Sequence, residues 1–423
     1  MENLTETPEV LAITDIIRKN ADIGLYKVSD VICQKDGREL QFVDLVMEGG
    51  GTLGIALVGY IHALEQAGIR FLGMGGSSVG AIVSLLAYSC GERTEARGDK
   101  LASIIGEMDL GELVDGGFLA RRVSKRWARL GIDLSIVGIL QNLILSVFLI
   151  AKKLGLNPGD RLLEWISNRL SENDIHTLAD LNELTAALPE GLCHRKTRKR
   201  INNYNTSLRV VATDVTTSTK VIFPDMAAMY WHDPNAVNPA CFARASASIP
   251  GFFQPFTVKG ISTLIGNGEK WKRLGSFTGE LPDTVSFVDG GLLSNFPIDL
   301  FKRLGVPRAP TFGVRLGSKH RTAVNVDKIG KYALRLLDTL RHNADYDFIF
   351  KNPLYNQLIA HIPTEDFHWL DFNMSEEDKR VLFCNGVEAG YQFLERFKWQ
   401  EYKDMRTAEL AVYRLRKATH AVE

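Results

Sequence analysis

From residue 42 the chain runs strand, glycine-rich turn, helix, and then repeats that order at once. Phe42-Val43-Asp44-Leu45-Val46-Met47 reads as a strand and leads directly into Gly49-Gly50-Gly51-Thr52-Leu53-Gly54. A helix follows, with apolar residues at Ile55, Val58, Ile61, Ala63 and Leu64, and stops at Gly68. A second strand over 69–74 ends in Gly75-Gly76-Ser77-Ser78-Val79-Gly80, and an apolar helix opens at Ala81. Such alternation is the signature of a parallel α/β sheet. It also puts both glycine turns at the carboxyl ends of strands, where open α/β sheets hold their sites.

Beyond this unit the alternation pauses. Residues 101–200 read as helical with basic runs, and strand character resumes at 208–213, 220–223 and 284–288. The stretch 311–316 reads as the last sheet strand and the remainder as helical, with Ser375-Glu376-Glu377-Asp378 as a capping box opening a helix towards Phe397. Ahead of residue 42, a short helix is expected over 14–21 and a turn at Lys35-Asp36-Gly37. The expected division is an N-terminal extension (1–41), an α/β domain (42–320) with a helical insert at about 101–205, and a C-terminal helical region (321–423) packed on that domain.

Composition removes several classes of function. Fifty basic residues balance fifty acidic ones, so no overall field points to nucleic acid. Cys33, Cys90, Cys193, Cys241 and Cys384 are odd in number and form no C-x-x-C pair, against a disulfide framework or a structural zinc site. Residues 1–10 are polar and acidic and lack the order of a signal peptide, so the expected compartment is the cytoplasm.

The first glycine loop satisfies G-x-G-x-x-G and admits two chemical readings. A dinucleotide-binding turn needs an acid at the end of the second strand, but that strand ends in Gly73-Met74-Gly75-Gly76. The other reading is an oxyanion site: Gly49, Gly50, Gly51 and Gly54 let backbone N–H groups face an anion at a helix N-terminus. A tight turn without chemistry stays open beside both.

The second turn, Gly76-Ser77-Ser78-Val79-Gly80, fits G-x-S-x-G. Gly76 and Gly80 permit a sharp elbow with Ser78 at its centre as nucleophile, and Ser77 is the off-centre rival. A serine hydroxyl needs a base. Among the histidines after Ser78, His320 comes nearest to a strand end and His361 precedes Pro363, yet none lies in a glycine turn at the end of a clear strand. Asp-Gly-Gly occurs twice, at Asp115 and at Asp289. Asp289, with Gly290 and Gly291, ends the strand 284–288, whereas Asp115 follows only Leu113-Val114 in a helical region. A strand end is the more rigid mount, which favours Asp289.

With these residues in place, the chain resembles the patatin-like phospholipase family. The motifs that carry the resemblance are 49–54, 76–80 and 289–291, joined by Val211-Ala212-Thr213-Asp214-Val215 and by the stretch Ala243-Arg244-Ala245-Ser246-Ala247-Ser248-Ile249-Pro250-Gly251-Phe252-Phe253-Gln254-Pro255. The resemblance implies a three-layer α/β/α sandwich and a serine lipid acyl hydrolase with a Ser78–Asp289 dyad and a glycine-loop oxyanion hole. It implies no cofactor and no metal. One position departs from the family pattern: Leu53 stands where a basic residue is usual. The rival functions are a non-lipid esterase or thioesterase on the same dyad, and a nucleotide-binding or scaffold protein without catalysis.

Residues 134–151 carry no charge and are flanked by Lys125, Arg126, Arg129, Lys152 and Lys153. They read as a buried helix, a lipid-facing lid or a membrane span. Arg195-Lys196-Thr197-Arg198-Lys199-Arg200 is a basic loop, solvated or in contact with a membrane or partner. The expected partner is a phospholipid or other acyl-lipid substrate met at a peripheral membrane surface. Nucleic acid is not expected, and homo-oligomerisation stays open.

Overall fold

The computed structural model describes residues 3–117, 153–204, 207–264, 266–317 and 345–420, together with 323, 326, 327, 332, 335, 336 and 339. Its sheet starts with a hairpin, β1 (Val31–Lys35) and β2 (Arg38–Met47), turned at Asp36-Gly37. Both turn residues have positive φ (52° and 76°), the two-residue geometry that matches the twist of the flanking strands. The expected turn is therefore present, and residues ahead of 42 contribute a sheet strand as well as a helix.

Alternate residues of β2 face opposite layers. Val43, Leu45 and Met47 enter the main core, while Phe42 and Val46 enter smaller apolar clusters elsewhere. A strand covered on both faces is apolar at nearly every position, which is why 42–47 reads as a continuous run. The exception, Asp44, is fully buried and ion-paired to Arg303 at 2.8 Å. Burial pushes its carboxyl up to about 6, against the opposing pull of Arg303.

The remaining strands are β3 (Ile69–Ser77), β4 (Gly155–Asn157), β5 (Cys193–His194), β6 (Leu208–Asp214) and β7 (Thr219–Phe223). They continue with β8 (Gly251–Phe253), β9 (Phe256–Lys259), β10 (Thr284–Asp289), β11 (Thr311–Leu316) and β12 (Ile359–Ile362). The central sheet has the order β12-β11-β2-β3-β6-β10-β9. From β12 to β6 every neighbour is parallel, and β10 and β9 then run antiparallel. β11 is thus not the last sheet strand. β12 adds to its outer edge, with Gly313 opposite Ile359 and Leu316 opposite Ile362. The stretch 101–205 is likewise not purely helical, since it holds β4 and β5.

Helices cover one face: α1 (Pro8–Asp22), α2 (Gly54–Gln66), α3 (Val79–Ser89), α4 (Gly98–Gly106) and the long helix Glu376–Arg396. The last opens with the expected capping box, Ser375 and Asp378 bonding each other's backbone N–H. It crosses α2 so closely that a Cβ at Gly386 would lie 2.0 Å from Ala56 O, and one at Gly59 2.1 Å from Phe383 O. α1 begins earlier than the expected 14–21, with Pro8 in its first turn. Phe296, Ile298, Leu300, Phe301 and Ile349 form an apolar cluster with Val46, Val211 and Ile359 of the sheet. The result is an α/β/α sandwich around a mainly parallel sheet.

Among the described residues no helix is long and apolar enough to cross a membrane. The apolar stretch 134–151 lies outside the described residues, as do His320 and His342.

Candidate active site

The two glycine turns leave adjacent parallel strands, with Met47 opposite Gly76. A Cβ at Gly76 would lie 2.4 Å from Met47 O, and one at Gly80 2.5 Å from the same oxygen and 2.7 Å from Glu48 O. Only glycine lets the elbow close this tightly on the end of β2. Ser78, between them, has φ 51° and ψ −125°, a strained conformation for a residue with a side chain. Two residues hold the elbow. Ser246 Oγ accepts the Ser78 N–H (2.9 Å) and donates to Val211 O (2.6 Å), and Ser77 Oγ donates to Ser294 O (2.6 Å). Ser77, the rival nucleophile, is fully buried in that structural bond.

Asp289 ends β10, whose antiparallel course places it beside Ala212 of β6, while Ser77 lies beside Val211 of the same strand. The serine and aspartate turns therefore meet across β6. A Cβ at Gly290 would lie 2.0 Å from Val211 O and 3.1 Å from Ser77 Oγ, so the glycine after the aspartate is required by close approach. Asp289 N–H donates to Ser248 O (2.9 Å), and Asp289 Oδ1 accepts the Gly291 N–H (2.7 Å). The helix Ala240–Ser246 and the residues after it thus touch both turns, Ser246 at Ser78 and Ser248 at Asp289. Arg244 fastens this stretch: buried, it donates to Gly159 O (2.9 Å), Gln254 O (2.8 Å) and the Ser248 hydroxyl. Burial lowers its pKa to about 10. The 243–255 stretch is visible in the sequence, but its grip on both turns is not.

Gly49, Gly50, Gly51 and Gly54 run from the end of β2 into α2. A Cβ at Gly49 would lie 3.0 Å from Ser78 Cβ, one at Gly54 2.5 Å from Val79 Cγ2 and one at Gly50 2.2 Å from Leu316 Cδ1. Gly51 has φ 57°. The amides of this loop are not equivalent. Gly49 N–H donates to Asn295 O (3.0 Å) and Thr52 N–H to Trp369 O (2.8 Å), whereas Gly50 and Gly51 N–H have no partner among the described residues. Leu53, which departs from the family's usual basic residue, is buried in the main core.

The other Asp-Gly-Gly turn does different work. Asp115 accepts Gly159 N–H (3.0 Å) and Arg161 N–H (3.1 Å) at the start of the helix Asp160–Ser171. Three of the described histidines are engaged elsewhere: His176 with Ser171, His194 near Asp30, His368 with the Leu370 N–H. His361 sits where burial, then the Arg315 charge, lowers its pKa to about 4.

The site is closed. Ser78 and Asp289 are 2 % and 4 % exposed. The segment between β12 and the Glu376–Arg396 helix lies over the glycine loop through Trp369, and Phe372 stacks on Phe252 with ring centroids 4.5 Å apart. The basic run 195–200 forms a hairpin tip away from these turns. Arg195 bonds Ser29 O (2.9 Å), Gln41 Oε1 (2.6 Å) and Glu39 at the amino-terminal half of β2, leaving Lys196, Arg198, Lys199 and Arg200 exposed.

The chain belongs to the patatin-like phospholipase family, whose sequence model matches residues 45–302, and membership supports lipid hydrolysis as its activity. It is similar to the uncharacterized protein YqhO of Bacillus subtilis (strain 168), 28 % identical over 360 residues that span 85 % of this chain and 100 % of that protein. Among solved structures, VipD from Legionella pneumophila is similar over 90 % of this chain and 73 % of that one, at 16 % identity and a TM-score of 0.44. Full-length ExoU in complex with SpcU, from Pseudomonas aeruginosa, is similar over 84 % of this chain and 53 % of that one, at 16 % identity and a TM-score of 0.38.

Proposed function

We propose that the chain is a serine lipid acyl hydrolase of phospholipase A or lysophospholipase type, with Ser78 as nucleophile and Asp289 as base. Asp289 takes the proton from Ser78 Oγ as that oxygen attacks the acyl carbonyl. The Gly50 and Gly51 amides, at the N-terminal end of α2, receive the oxyanion. Gly49, its own N–H held by Asn295, and Gly54, packed on Val79, give these amides room. Collapse of the tetrahedral intermediate expels the alcohol, which takes the proton from Asp289. Water, deprotonated by Asp289, then attacks the acyl-serine, and Ser78 recovers its proton as the fatty acid leaves. No step calls on a metal or cofactor.

The observation that carries this reading is the strained Ser78 elbow, packed against a glycine loop with two amides to spare and meeting the Asp289 turn across a single strand. The closed roof favours a lipid substrate over a soluble ester, because an aggregated lipid surface can displace a cover that a dilute monomer leaves in place. Contact with the membrane is accordingly peripheral. The test compares fatty-acid release from phospholipid vesicles with hydrolysis of short soluble esters. Faster turnover of vesicle lipid supports the reading, and the reverse order points to a soluble esterase or thioesterase.

A further inference from the structure

We propose that Asn295 is the positioning residue that sets the glycine loop against Ser78. This rests on the serine-hydrolase reading above. Asn295 grips Gly49 from both ends of its backbone: Gly49 N–H donates to Asn295 O (3.0 Å), and Asn295 Nδ2 donates to Gly49 O (3.0 Å). A Cβ at Gly49 would lie 2.6 Å from Asn295 Oδ1 on one side and 3.0 Å from Ser78 Cβ on the other. Gly49 is thus held between the nucleophile and Asn295, and the two amides assigned to the oxyanion follow it in the chain.

Asn295 is itself fixed from behind. Its Nδ2 also reaches Glu48 Oε1 (3.3 Å), which accepts Arg315 Nη2 (3.0 Å) and Nε (3.2 Å), while Glu48 Oε2 accepts Leu316 N–H (2.8 Å). On either side, Ser294 Oγ and Phe296 N–H donate to the two oxygens of Asp345 (2.7 and 2.6 Å). Ser294 O accepts the Ser77 hydroxyl. Glu48 and Asp345 are both nearly inaccessible to solvent. Three consecutive residues therefore tie the nucleophile turn and the oxyanion loop to two buried carboxylates.

The loop needs this grip because consecutive glycines do not hold one backbone conformation by themselves. Rotation about Gly49 would tilt the following amides away from the oxyanion, and a displacement of about 1 Å costs on the order of 10²-fold in rate. Asn295 acts through Gly49, as a positioning group.

The test uses the full chain, phospholipid vesicles with fatty-acid release as the readout, and the variants Asn295→Ala and Asn295→Asp, with thermal melts alongside. Asn295→Ala is expected to lower kcat by about 10²-fold with KM within about twofold. Asn295→Asp keeps the shape, but the introduced carboxyl can donate to Gly49 O only while protonated. The charged and titratable groups around it are Glu48, Arg315, Asp345 and His361. Wild type carries the same groups, so the ratio of variant to wild-type kcat is the informative quantity. That ratio is expected to rise at least about tenfold as pH falls from about 8 to about 5. Wild-type kcat in Asn295→Ala, or a ratio independent of pH in Asn295→Asp, overturns the role of Asn295 while leaving the hydrolase reading intact. A wild-type protein that neither releases fatty acid from the vesicles nor, with the vesicles present, reacts at Ser78 with a fluorophosphonate overturns both.

Discussion

The molecule uses the tripeptide Asp-Gly-Gly twice, in surroundings that share nothing else. At Asp289 the tripeptide ends a strand of the central sheet, and its glycine abuts the Ser77 side chain next to Ser78. At Asp115 both carboxylate oxygens accept backbone N–H groups at the start of the helix Asp160–Ser171. One aspartate's turn meets that of a strained serine across β6, and the other aspartate satisfies orphan donors of a helix end. The difference shows that the mount matters as much as the residues: the sheet brings the Asp289 turn, and not the Asp115 turn, against the serine elbow.

The largest effect that would break this comparison is on turnover. Ser78→Ala and Asp289→Ala are each expected to lower kcat on a lipid ester by about 10³-fold or more, with the fold retained by circular dichroism. Asp115→Ala is expected to leave kcat unchanged. A reversed pattern would exchange the roles of the two aspartates.

Ser246→Ala sharpens the comparison one step down. It leaves the Ser78 N–H without its acceptor. The elbow should then lose definition and kcat should fall by about tenfold or more. An unaffected kcat would show that the strain at Ser78 is held by the glycine contacts alone.

Asp115→Ala should lower stability by about 1 kcal/mol through the lost helix cap. In a chain of this size that shifts Tm by about 2 °C or less, read in thermal melts. A last comparison concerns the histidine alternative. His361 has its folded pKa depressed to about 4, from burial first and then from Arg315, against an ordinary 6.5. Between those values the unfolded chain binds a proton that the folded chain refuses. This group's contribution is therefore present above 6.5 and is lost as pH falls towards about 4. His361→Asn should flatten the fall of Tm across that window and leave kcat unchanged. A large loss of kcat would bring a histidine back into the mechanism.

Much of the fold was legible because its signals are local. The 42–89 unit combines continuous apolar strands with glycine turns, and the capping box at Ser375 and Asp378 is contained in four residues. β12 was missed because Ile359–Ile362 is four residues long and is defined by its partner β11 rather than by its own pattern. β1 was missed for the same reason, since its pairing with β2 makes it a strand. In the candidate site, the Ser78 elbow, the Asp289 turn and the glycine loop stand out as motifs, and the structure brings these turns together. What could not be read is which loop amides are already engaged. Gly49 and Gly50 are alike in sequence, yet only one donates to Asn295 O. Asn295 carried no signal beyond its place after Asp-Gly-Gly, because its role consists of contacts with residues far along the chain.

The most direct test of the central claim is fatty-acid release from mixed phospholipid vesicles by wild type, Ser78→Ala, Asp289→Ala and Asp115→Ala measured side by side. The account predicts release by wild type and by Asp115→Ala, and none above background by the other two. Release by Asp289→Ala at the wild-type rate, or its loss in Asp115→Ala with the fold intact, would contradict it.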